Sequence, residues 1–294
     1  MSAEITFKRW YERGQHFTHR GQQIFFQTGG RGGDGPALLT IHGFPTASWD
    51  WHHQWPALCE RFSLVIAADM VGFGYSAKPR NYHYSMFDQA DLMEALMTRL
   101  GVKSYHVLAH DYGDTVAQEL LARHNERKAA QELLSVCFLN GGLFPETHHP
   151  RLIQKLLASP IGALVSRLTN ERNFHRSFIA VFGANTQPGF DELSEFWDLI
   201  NYNDGVGVFH KLIDYMRERR ENRARWVGAL QKASVPLRVI DGLDDPVSGA
   251  HMVVRYRELV PSPDVVELPG IGHYPQVEAP DAVLKAFLEF HHFN

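Results

Sequence analysis

The sequence contains little of what several common protein classes require. Only two cysteines, Cys59 and Cys137, occur in 294 residues, and this fits buried reduced thiols better than a disulfide framework. No apolar run approaches the ~20 residues of a membrane-spanning helix, and the N-terminal segment lacks the apolar core of a secretory signal. The formal net charge is −4 at pH 7, whereas a broad nucleic-acid surface needs a basic balance. We therefore expect a cytoplasmic protein with no membrane span and no nucleic-acid partner.

Histidine is abundant, at 17 residues, but its spacing does not indicate a metal centre. The adjacent histidine pairs lack the H-E-x-x-H spacing of a helical zinc site, and neighbouring side chains on a helix point in different directions. A glycine-rich stretch at 29–35 precedes a strand without the helix and lysine of a phosphate-binding loop. We therefore expect neither a metal nor a cofactor. The pairs are His52 and His53, His148 and His149, and His291 and His292.

Short apolar runs alternate with segments of helical spacing. Near-continuous apolar runs of this length indicate strands buried on both faces of a parallel sheet. Repeated strand–helix–strand units indicate right-handed crossovers and a doubly wound α/β sheet. "HFTHRG" and "QQIFFQTG" predict an antiparallel hairpin at one edge. The predicted buried strands are 37–43, 62–69, 104–110, 133–140, 236–242 and 264–270, and the predicted helices include 86–101 and 115–126.

Residues 144–231 interrupt this alternation. They contain no convincing buried strand and show helical patterns such as "PRLIQKLLASPIGALVSRL" and "GVFHKLIDYMRERRENRARWVGAL". We expect a helical cap, inserted into a core made of residues 1–143 and 232–294, over the sheet edge where open α/β sheets place their sites. The basic run at 217–225 is interpreted as a solvated helix face.

The strand at 104–110 ends in "LAHDYGD", with Asp111 at its tip. A nucleophile elbow needs small neighbours because the backbone turns sharply there, and Ala109 and Gly113 supply them. An acid can instead stabilise a helix N-terminus through the helix dipole, and Asp114 fits that role better than Asp111 does. The pattern favours Asp111 as a nucleophile.

Two later strand ends carry the partners that such a nucleophile needs. "GLDDPV" places Asp244 and Asp245 after one strand, and "GIGHYPQVE" places His273 after the last. Nucleophile, acid and histidine in this chain order are typical of the α/β-hydrolase triad. We prefer Asp245 as the orienting acid, with Asp244 and then Asp241 as alternatives at the same strand tip.

Backbone donors and aromatic side chains complete the predicted site. The "IHGFP" turn and the residue after the nucleophile assign the oxyanion hole to the N–H groups of Phe44 and Tyr112. Trp49 and Trp51 either line an apolar pocket beside the elbow or pack the first helix. In the cap, Tyr215 is the candidate proton donor and Tyr202 a weaker second one.

An aspartate nucleophile points to a particular chemistry. Its carboxylate, with a pKa near ~4, is ionised at neutral pH and can attack an electrophilic sp3 carbon to give an enzyme-bound ester. His273 then activates a water that hydrolyses this ester. Small apolar electrophiles are therefore the expected substrates.

The leaving group separates the alternatives. Halide release calls for N–H donors, commonly a tryptophan after the nucleophile, where this chain has Tyr112. Epoxide opening needs a proton donor, for which Tyr215 is available, so an epoxide is favoured. A haloalkane or a β-lactone remains an alternative substrate. A non-catalytic ligand-binding protein is the alternative of another class, although a pure binder needs no complete triad.

These motifs resemble a known group of enzymes. "HGFPTASWDW", "HDYGDTVAQELL", "GLDDPV" and "HYPQVE" resemble the epoxide hydrolase and haloalkane dehalogenase branch of the α/β-hydrolases, and with "RWVGAL" they are similar to the mesoderm-specific transcript protein family. The resemblance extends from about residue 38 to the end. It implies the roles of nucleophile, acid and histidine for Asp111, Asp245 and His273, and of lid tyrosine for Tyr215. Epoxide hydrolases usually have a second lid tyrosine, but "NFHRSFIAVFGANTQPG" has phenylalanines instead.

Overall fold

An eight-stranded sheet forms the centre of the computed structural model, which describes residues 5–293. Its strands are β1 (Gln15–His19), β2 (Gln22–Gly29), β3 (Ala37–Ile41), β4 (Leu64–Ala68), β5 (Ser104–His110), β6 (Glu132–Leu139), β7 (Leu237–Gly242) and β8 (Val265–Leu268). They lie in the order β1-β2-β4-β3-β5-β6-β7-β8. β2 pairs antiparallel with β1 and with β4, whereas β3 to β8 are parallel. The predicted α/β class is confirmed.

The strand predictions are confirmed to within two residues at each end. The pattern was readable because the central strands are buried on both faces: every residue of β3 is buried, and so are the last four of β5. Such strands have no solvent-facing side and therefore appear as continuous apolar runs. The predicted edge hairpin is present as β1 and β2.

Helices cover the sheet and fill the long interval between β6 and β7. No helix within residues 5–293 is long and apolar enough to cross a membrane. Two 3-10 helices, Ser48–Trp51 and Tyr202–Val208, accompany the α-helices. The α-helices are α1 (Phe7–Arg13), α2 (Trp55–Arg61), α3 (Met86–Arg99), α4 (Tyr112–Asn125), α5 (Leu152–Leu157), α6 (Gly162–Leu168), α7 (Glu171–Ile179), α8 (Phe190–Asn201), α9 (Phe209–Leu212), α10 (Tyr215–Glu221), α11 (Arg223–Gln231), α12 (Ala250–Leu259), α13 (Pro275–Glu278) and α14 (Pro280–Phe290).

The two predicted core helices differ from α3 and α4 only at their ends. Ser85 caps α3 by accepting a hydrogen bond from the Asp88 N–H at 3.2 Å. The chain leaves this helix through Gly101, whose φ of +71° is a left-handed conformation that glycine adopts at little cost. α4 begins at Tyr112, before the predicted start near Thr115, because the elbow passes directly into the helix.

The long helix predicted at 207–230 is wrong as a single element. The chain instead forms α9, α10 and α11 after a 3-10 turn. Asn222, with φ −102° and ψ 17°, lies outside helical geometry and separates α10 from α11. The break lets α11 pack on α4, where the Trp226 Nε1–H donates to Glu119 Oε2 at 2.9 Å and Asn125 Nδ2 donates to the Ala229 carbonyl at 3.0 Å.

We expect the contact between α11 and α4 to contribute strongly to stability. Trp226→Ala removes a buried indole and should lower the free energy of unfolding by about 3–5 kcal/mol. Trp226→Phe keeps most of the packing and removes only the hydrogen bond, and Glu119 retains Arg123 and Arg225, so the loss should be roughly 1–2 kcal/mol. Urea unfolding of both variants measures the difference. Equal losses would contradict a contact dominated by packing.

Candidate active site

Asp111 occupies a strained turn between β5 and α4. Its φ of +46° and ψ of −102° are unusual for a residue with a Cβ, and such conformations cost about 1–3 kcal/mol. The Asp111 N–H donates to the Leu139 carbonyl at 3.2 Å, which fixes the turn to β6. Gly113 is required behind it, because a Cβ there would lie 2.5 Å from the Ile41 carbonyl oxygen. The elbow therefore aims the Asp111 side chain outward from the carboxyl edge of the sheet.

Donors surround the Asp111 carboxylate. The Phe44 N–H donates to Asp111 Oδ2 at 3.1 Å, and His273 Nε2 lies 3.9 Å from the same oxygen. Arg219 Nη2 lies 3.7 Å from Oδ1. Tyr112 is the first residue of α4, and the N–H groups of a helix's first turn have no intrahelical acceptor. The Phe44 N–H thus contacts the carboxylate, and Tyr112 follows Asp111 as the residue that begins the helix.

His273 is oriented by Asp245. The His273 Nδ1–H donates to Asp245 Oδ2 at 2.7 Å, which leaves Nε2 facing Asp111. Asp245 also accepts from the Val247 N–H at 2.7 Å and from Asn140 Nδ2 at 3.1 Å. Of the alternative acids, Asp244 is exposed and accepts from the Gly270 N–H at 3.2 Å. The geometry therefore favours Asp245 as the orienting acid.

The charges in this group follow from its contacts. Burial alone would raise the pKa of Asp111, but the interactions with His273 and then Arg219 outweigh it and lower that pKa. Asp245 behaves in the same way. Burial raises its pKa, but His273, and then the Val247 N–H and Asn140, lower the pKa by more, so that it lies below its usual value. Burial lowers the pKa of His273, but the two carboxylates raise it well above its usual value. These contacts therefore favour an imidazolium between two carboxylates.

An apolar cavity of about 330 Å³ opens above Asp111. Phe44, His273 and Tyr274 line it near the carboxylate, and side chains from α5, α6 and α7 form most of the remaining wall. Its polar groups include Gln154 and Asn173, and no tryptophan is among the lining residues of the described chain. The cavity therefore suits a small, mainly apolar molecule next to an ionised carboxylate.

Tyr215 lies beside this cavity and not on its wall. Its ring packs against Phe44 and Tyr112, with centroids 6.1 and 5.2 Å away. The hydroxyl accepts a hydrogen bond from Gln154 Nε2 at 3.3 Å, and Gln154 lines the cavity. Burial, and then the Asp111 charge, raise the pKa of Tyr215. The hydroxyl therefore stays protonated behind Gln154.

Trp49, Trp51 and Tyr202 do not line the cavity, so the structure favours the second interpretation of the two tryptophans, in which they pack the core and the first helices. The Trp49 indole packs on Trp10 and donates to Glu195 Oε2 at 3.0 Å. Trp51 is fully buried in the core. Tyr202 packs against Tyr75 with ring centroids 5.1 Å apart. Trp49 and Trp51, although close in sequence to the HGFP motif, therefore pack against the first helices and the core, and Tyr202 packs on an outer face.

Asp114 lies in the first turn of α4, the position predicted for an acid beside the helix N-terminus. Both of its carboxyl oxygens are buried, and they have no hydrogen-bond partner among the described residues. Burial, and then the neighbouring Asp111 charge, raise its pKa well above the usual value. These surroundings oppose the ionised form that an interaction with the helix dipole would need.

Arg219 is the principal residue that the sequence did not indicate. The basic run at 217–225 is not wholly solvated, since the Arg219 side chain is only 2% exposed. Its Nη2 donates to the Asp111 carbonyl at 2.9 Å, and its Nε donates to Thr115 Oγ1 at 2.6 Å. The guanidinium also lies over the Tyr215 ring, 4.5 Å from the centroid. Arg219 thus joins α10 to the elbow.

A family model describing the alpha/beta hydrolase fold matches residues 36–280. The chain belongs to the alpha/beta hydrolase family. It is 43% identical over 289 residues to the mesoderm-specific transcript homolog protein of Bos taurus, and the aligned region covers 96% of this chain and 86% of that protein. It is also 38% identical over 281 residues to the putative hydrolase LipZ of Mycobacterium tuberculosis, and that aligned region covers 96% of each chain. The resemblance stated from the sequence motifs is confirmed.

More distant similarities extend over most of the chain. The cis-3-alkyl-4-alkyloxetan-2-one decarboxylase of Shewanella oneidensis is 26% identical over 270 residues, covering 88% of this chain and 82% of that protein. The haloalkane dehalogenase DbeA of Bradyrhizobium elkani has a TM-score of 0.78 at 22% identity, covering 94% and 96% of the two chains. The epoxide hydrolase CorEH has a TM-score of 0.76 at 20% identity, covering 94% and 97%. At these identities the two structures show a shared fold alone.

We expect Arg219→Gln to lower the free energy of unfolding by about 3 kcal/mol at neutral pH, because it removes a buried cation next to a carboxylate. The pH dependence has a definite sign. Arg219 depresses the folded-state pKa of Asp111, so its contribution is present above that pKa and is lost as the pH falls through it. The deficit should therefore be constant from pH 7 down to about 4, the ordinary carboxyl range, and shrink only as the pH falls below it.

Urea unfolding across this pH range measures the deficit. Arg220→Gln is the matched control, since Arg220 is the exposed neighbour on the same helix, and it should change stability by less than about 0.5 kcal/mol. A deficit for Arg219→Gln that stayed constant well below the ordinary carboxyl range, to about pH 2, would show that the residue acts through packing alone.

Proposed function

We propose that the protein is a hydrolase that uses Asp111 as a nucleophile toward a small apolar epoxide. The observation that carries this proposal is the position of an ionised carboxylate at a strained elbow, facing an apolar cavity and the Nε2 of His273. A serine there would need a base before it could attack, whereas this carboxylate is already charged. An acyl substrate would give an anhydride with aspartate, so attack on an sp3 carbon is the consistent reaction.

In the first step, a carboxylate oxygen of Asp111 attacks an epoxide carbon, the C–O bond breaks, and an ester forms between enzyme and substrate. The released alkoxide takes a proton. Tyr215 is the candidate donor, because its hydroxyl is protonated and lies behind Gln154 at the cavity wall. Delivery of that proton requires Gln154 to move aside or to relay it.

In the second step, esterification itself prepares the base. The charge of Asp111 is one of the causes that raise the pKa of His273, so neutralising that charge lowers the pKa. The imidazolium proton then passes through solvent to the Tyr215 phenolate left by the first step. Neutral His273 Nε2 takes a proton from a water, whose oxygen attacks the ester carbonyl of Asp111, and collapse of the intermediate releases the diol and leaves Asp111 as a carboxylate beside protonated His273. The oxyanion forms toward the N–H groups of Phe44 and Tyr112, and removing one such donor typically costs about 3 kcal/mol in barrier. Asp245 holds the imidazole throughout, at 2.7 Å.

A β-lactone is the second candidate substrate. Opening its ring at the sp3 carbon releases a carboxylate, which needs no proton from the enzyme. Because Gln154 lies between the Tyr215 hydroxyl and the cavity, the site suits a leaving group that needs no proton. The similarity to an oxetan-2-one decarboxylase adds support. The site suits a haloalkane less well, because no tryptophan among the described residues that line the cavity offers an indole N–H to a halide.

A single turnover in ¹⁸O-labelled water tests the ester mechanism. The protein is mixed in excess with a panel of epoxides, β-lactones and haloalkanes, and product and Asp111 peptide are analysed by mass spectrometry. We expect the label in the Asp111 carboxyl group and not in the first product, because the product oxygen then comes from the enzyme. Label in the product of the first turnover would contradict the mechanism.

Two variants serve as controls for the same experiment. His273→Gln should accumulate the covalent adduct on Asp111, since attack proceeds while hydrolysis does not. Asp111→Asn should form no adduct. A ligand-binding protein without turnover would form no adduct with any compound in either background, and this outcome would favour the non-catalytic alternative.

Tyr215→Phe separates the two substrate classes. For an epoxide, loss of the proton donor should lower kcat by about 10²–10⁴. For a β-lactone, kcat should change little, since the carboxylate leaves unprotonated. Gln154→Leu is the companion variant, because it removes the hydrogen bond to Tyr215 without altering the hydroxyl. Steady-state rates give both values, and unchanged epoxide turnover in Tyr215→Phe would remove the donor role.

A further inference from the structure

Three side chains away from the cavity converge on one point. His53 Nε2 lies 3.3 Å from Glu192 Oε1, and His52 Nε2 lies 3.7 Å from the same oxygen. The two imidazole rings are 3.8 Å apart. The expectation that adjacent histidines diverge is wrong for this pair, because they lie in the turn between the 3-10 helix Ser48–Trp51 and α2, not within an α-helix. None of the three lines the cavity above Asp111.

The tautomer of His52 follows from its other nitrogen. Nδ1 lies 2.8 Å from the Trp49 carbonyl oxygen, which can only accept, so Nδ1 carries the hydrogen. Nε2 of the neutral ring therefore presents a lone pair to the carboxylate of Glu192. Two electron-rich atoms face each other, and a cation between them would relieve the repulsion.

The spacing matches a particular ion. Zinc binds imidazole nitrogen and carboxylate oxygen at about 2.0–2.2 Å in a tetrahedron, which sets neighbouring ligand atoms about 3.3–3.5 Å apart. The distances of 3.3 and 3.7 Å to Glu192 Oε1 are close to that value. Zinc-binding histidines characteristically donate their second N–H to a carbonyl or carboxylate, which fixes the ring. The Trp49 carbonyl already does this for His52.

We propose that His52, His53 and Glu192 form a Zn²⁺ site, with a water as fourth ligand. The water would come from the adjoining cleft of about 380 Å³, which Glu60 and Asp281 also line. Glu192 belongs to α8 and the histidines precede α2, so the ion joins the helical segment to the sheet-bearing part. The site is structural, because it lies outside the reaction cavity.

Metal titration of the full-length protein, freed of any affinity tag and treated with EDTA, tests the proposal. Isothermal calorimetry with Zn²⁺ should show one ion bound per chain. Substitution by Co²⁺ should give the visible absorption bands of a tetrahedral site. The unfolding temperature should rise with Zn²⁺ concentration, as expected for a ligand that binds the folded state.

Glu192→Gln is the decisive variant. Glutamine can still accept the hydrogen bond from His53, so the fold is retained while the ligand charge is lost. We expect Zn²⁺ affinity to fall at least about tenfold, and His53→Ala should behave in the same way. Asp191→Asn and His83→Ala, which alter exposed residues outside the cluster, should bind Zn²⁺ as the unaltered protein does. Absence of stoichiometric binding, or equal affinity in Glu192→Gln, would show that these residues form only a hydrogen bond.

Discussion

An ionised carboxylate at the end of β5 must be kept charged inside a largely apolar surrounding, and the rest of the site depends on that requirement. Asp111, Asp114 and Asp241 are all buried. Asp111 has an imidazolium, a guanidinium and a backbone N–H close to it. The other two have no hydrogen-bond partner among the described residues, and burial raises their pKa. Similar burial thus leads to opposite pKa shifts, because Asp111 accepts a backbone N–H and lies beside both His273 and Arg219, whereas neighbouring carboxylates raise the pKa of Asp114 and of Asp241 further.

In the proposed mechanism, this arrangement would let one histidine serve two steps. While Asp111 is charged, its charge and that of Asp245 favour a protonated His273. Once the carboxylate became an ester, the imidazole would lose the charge of Asp111, release its proton more readily and become able to accept one from water. The state of the proposed nucleophile would therefore set the state of the base.

Much of the fold and several site positions could be predicted because they depend on local pattern. Buried strands give apolar runs, and Asp111, Asp245 and His273 directly follow strand ends that meet at one edge of the sheet. The breaks in the segment 207–230 could not be read, because helical spacing continues through Asn222 and only packing on α4 ends the helix there. The role of Arg219 could not be predicted from the sequence for a related reason. In a run of basic residues, nothing in the sequence distinguishes the one that points inward.

The same limitation applied to the histidine pair. Spacing rules for metal sites assume that ligands come from one regular element, whereas Glu192 is far along the chain in α8. Convergence of these residues needs the tertiary packing of α8 on the turn after Trp51, which the contact between Trp49 and Glu195 also supports.

Several polar contacts join the helices between β6 and β7 to the sheet-bearing part, and two of them bear on the proposed sites. Arg219 in α10 lies beneath the nucleophile, and Glu192 in α8 lies against the turn before α2. A third contact follows α7 directly, where the Val181 carbonyl accepts a hydrogen bond from the His273 N–H at 2.9 Å. Since α7 supplies part of the cavity wall, the shape of the cavity and the position of His273 depend on the same stretch of backbone, while Arg219 in α10 fixes Asp111 from the other side.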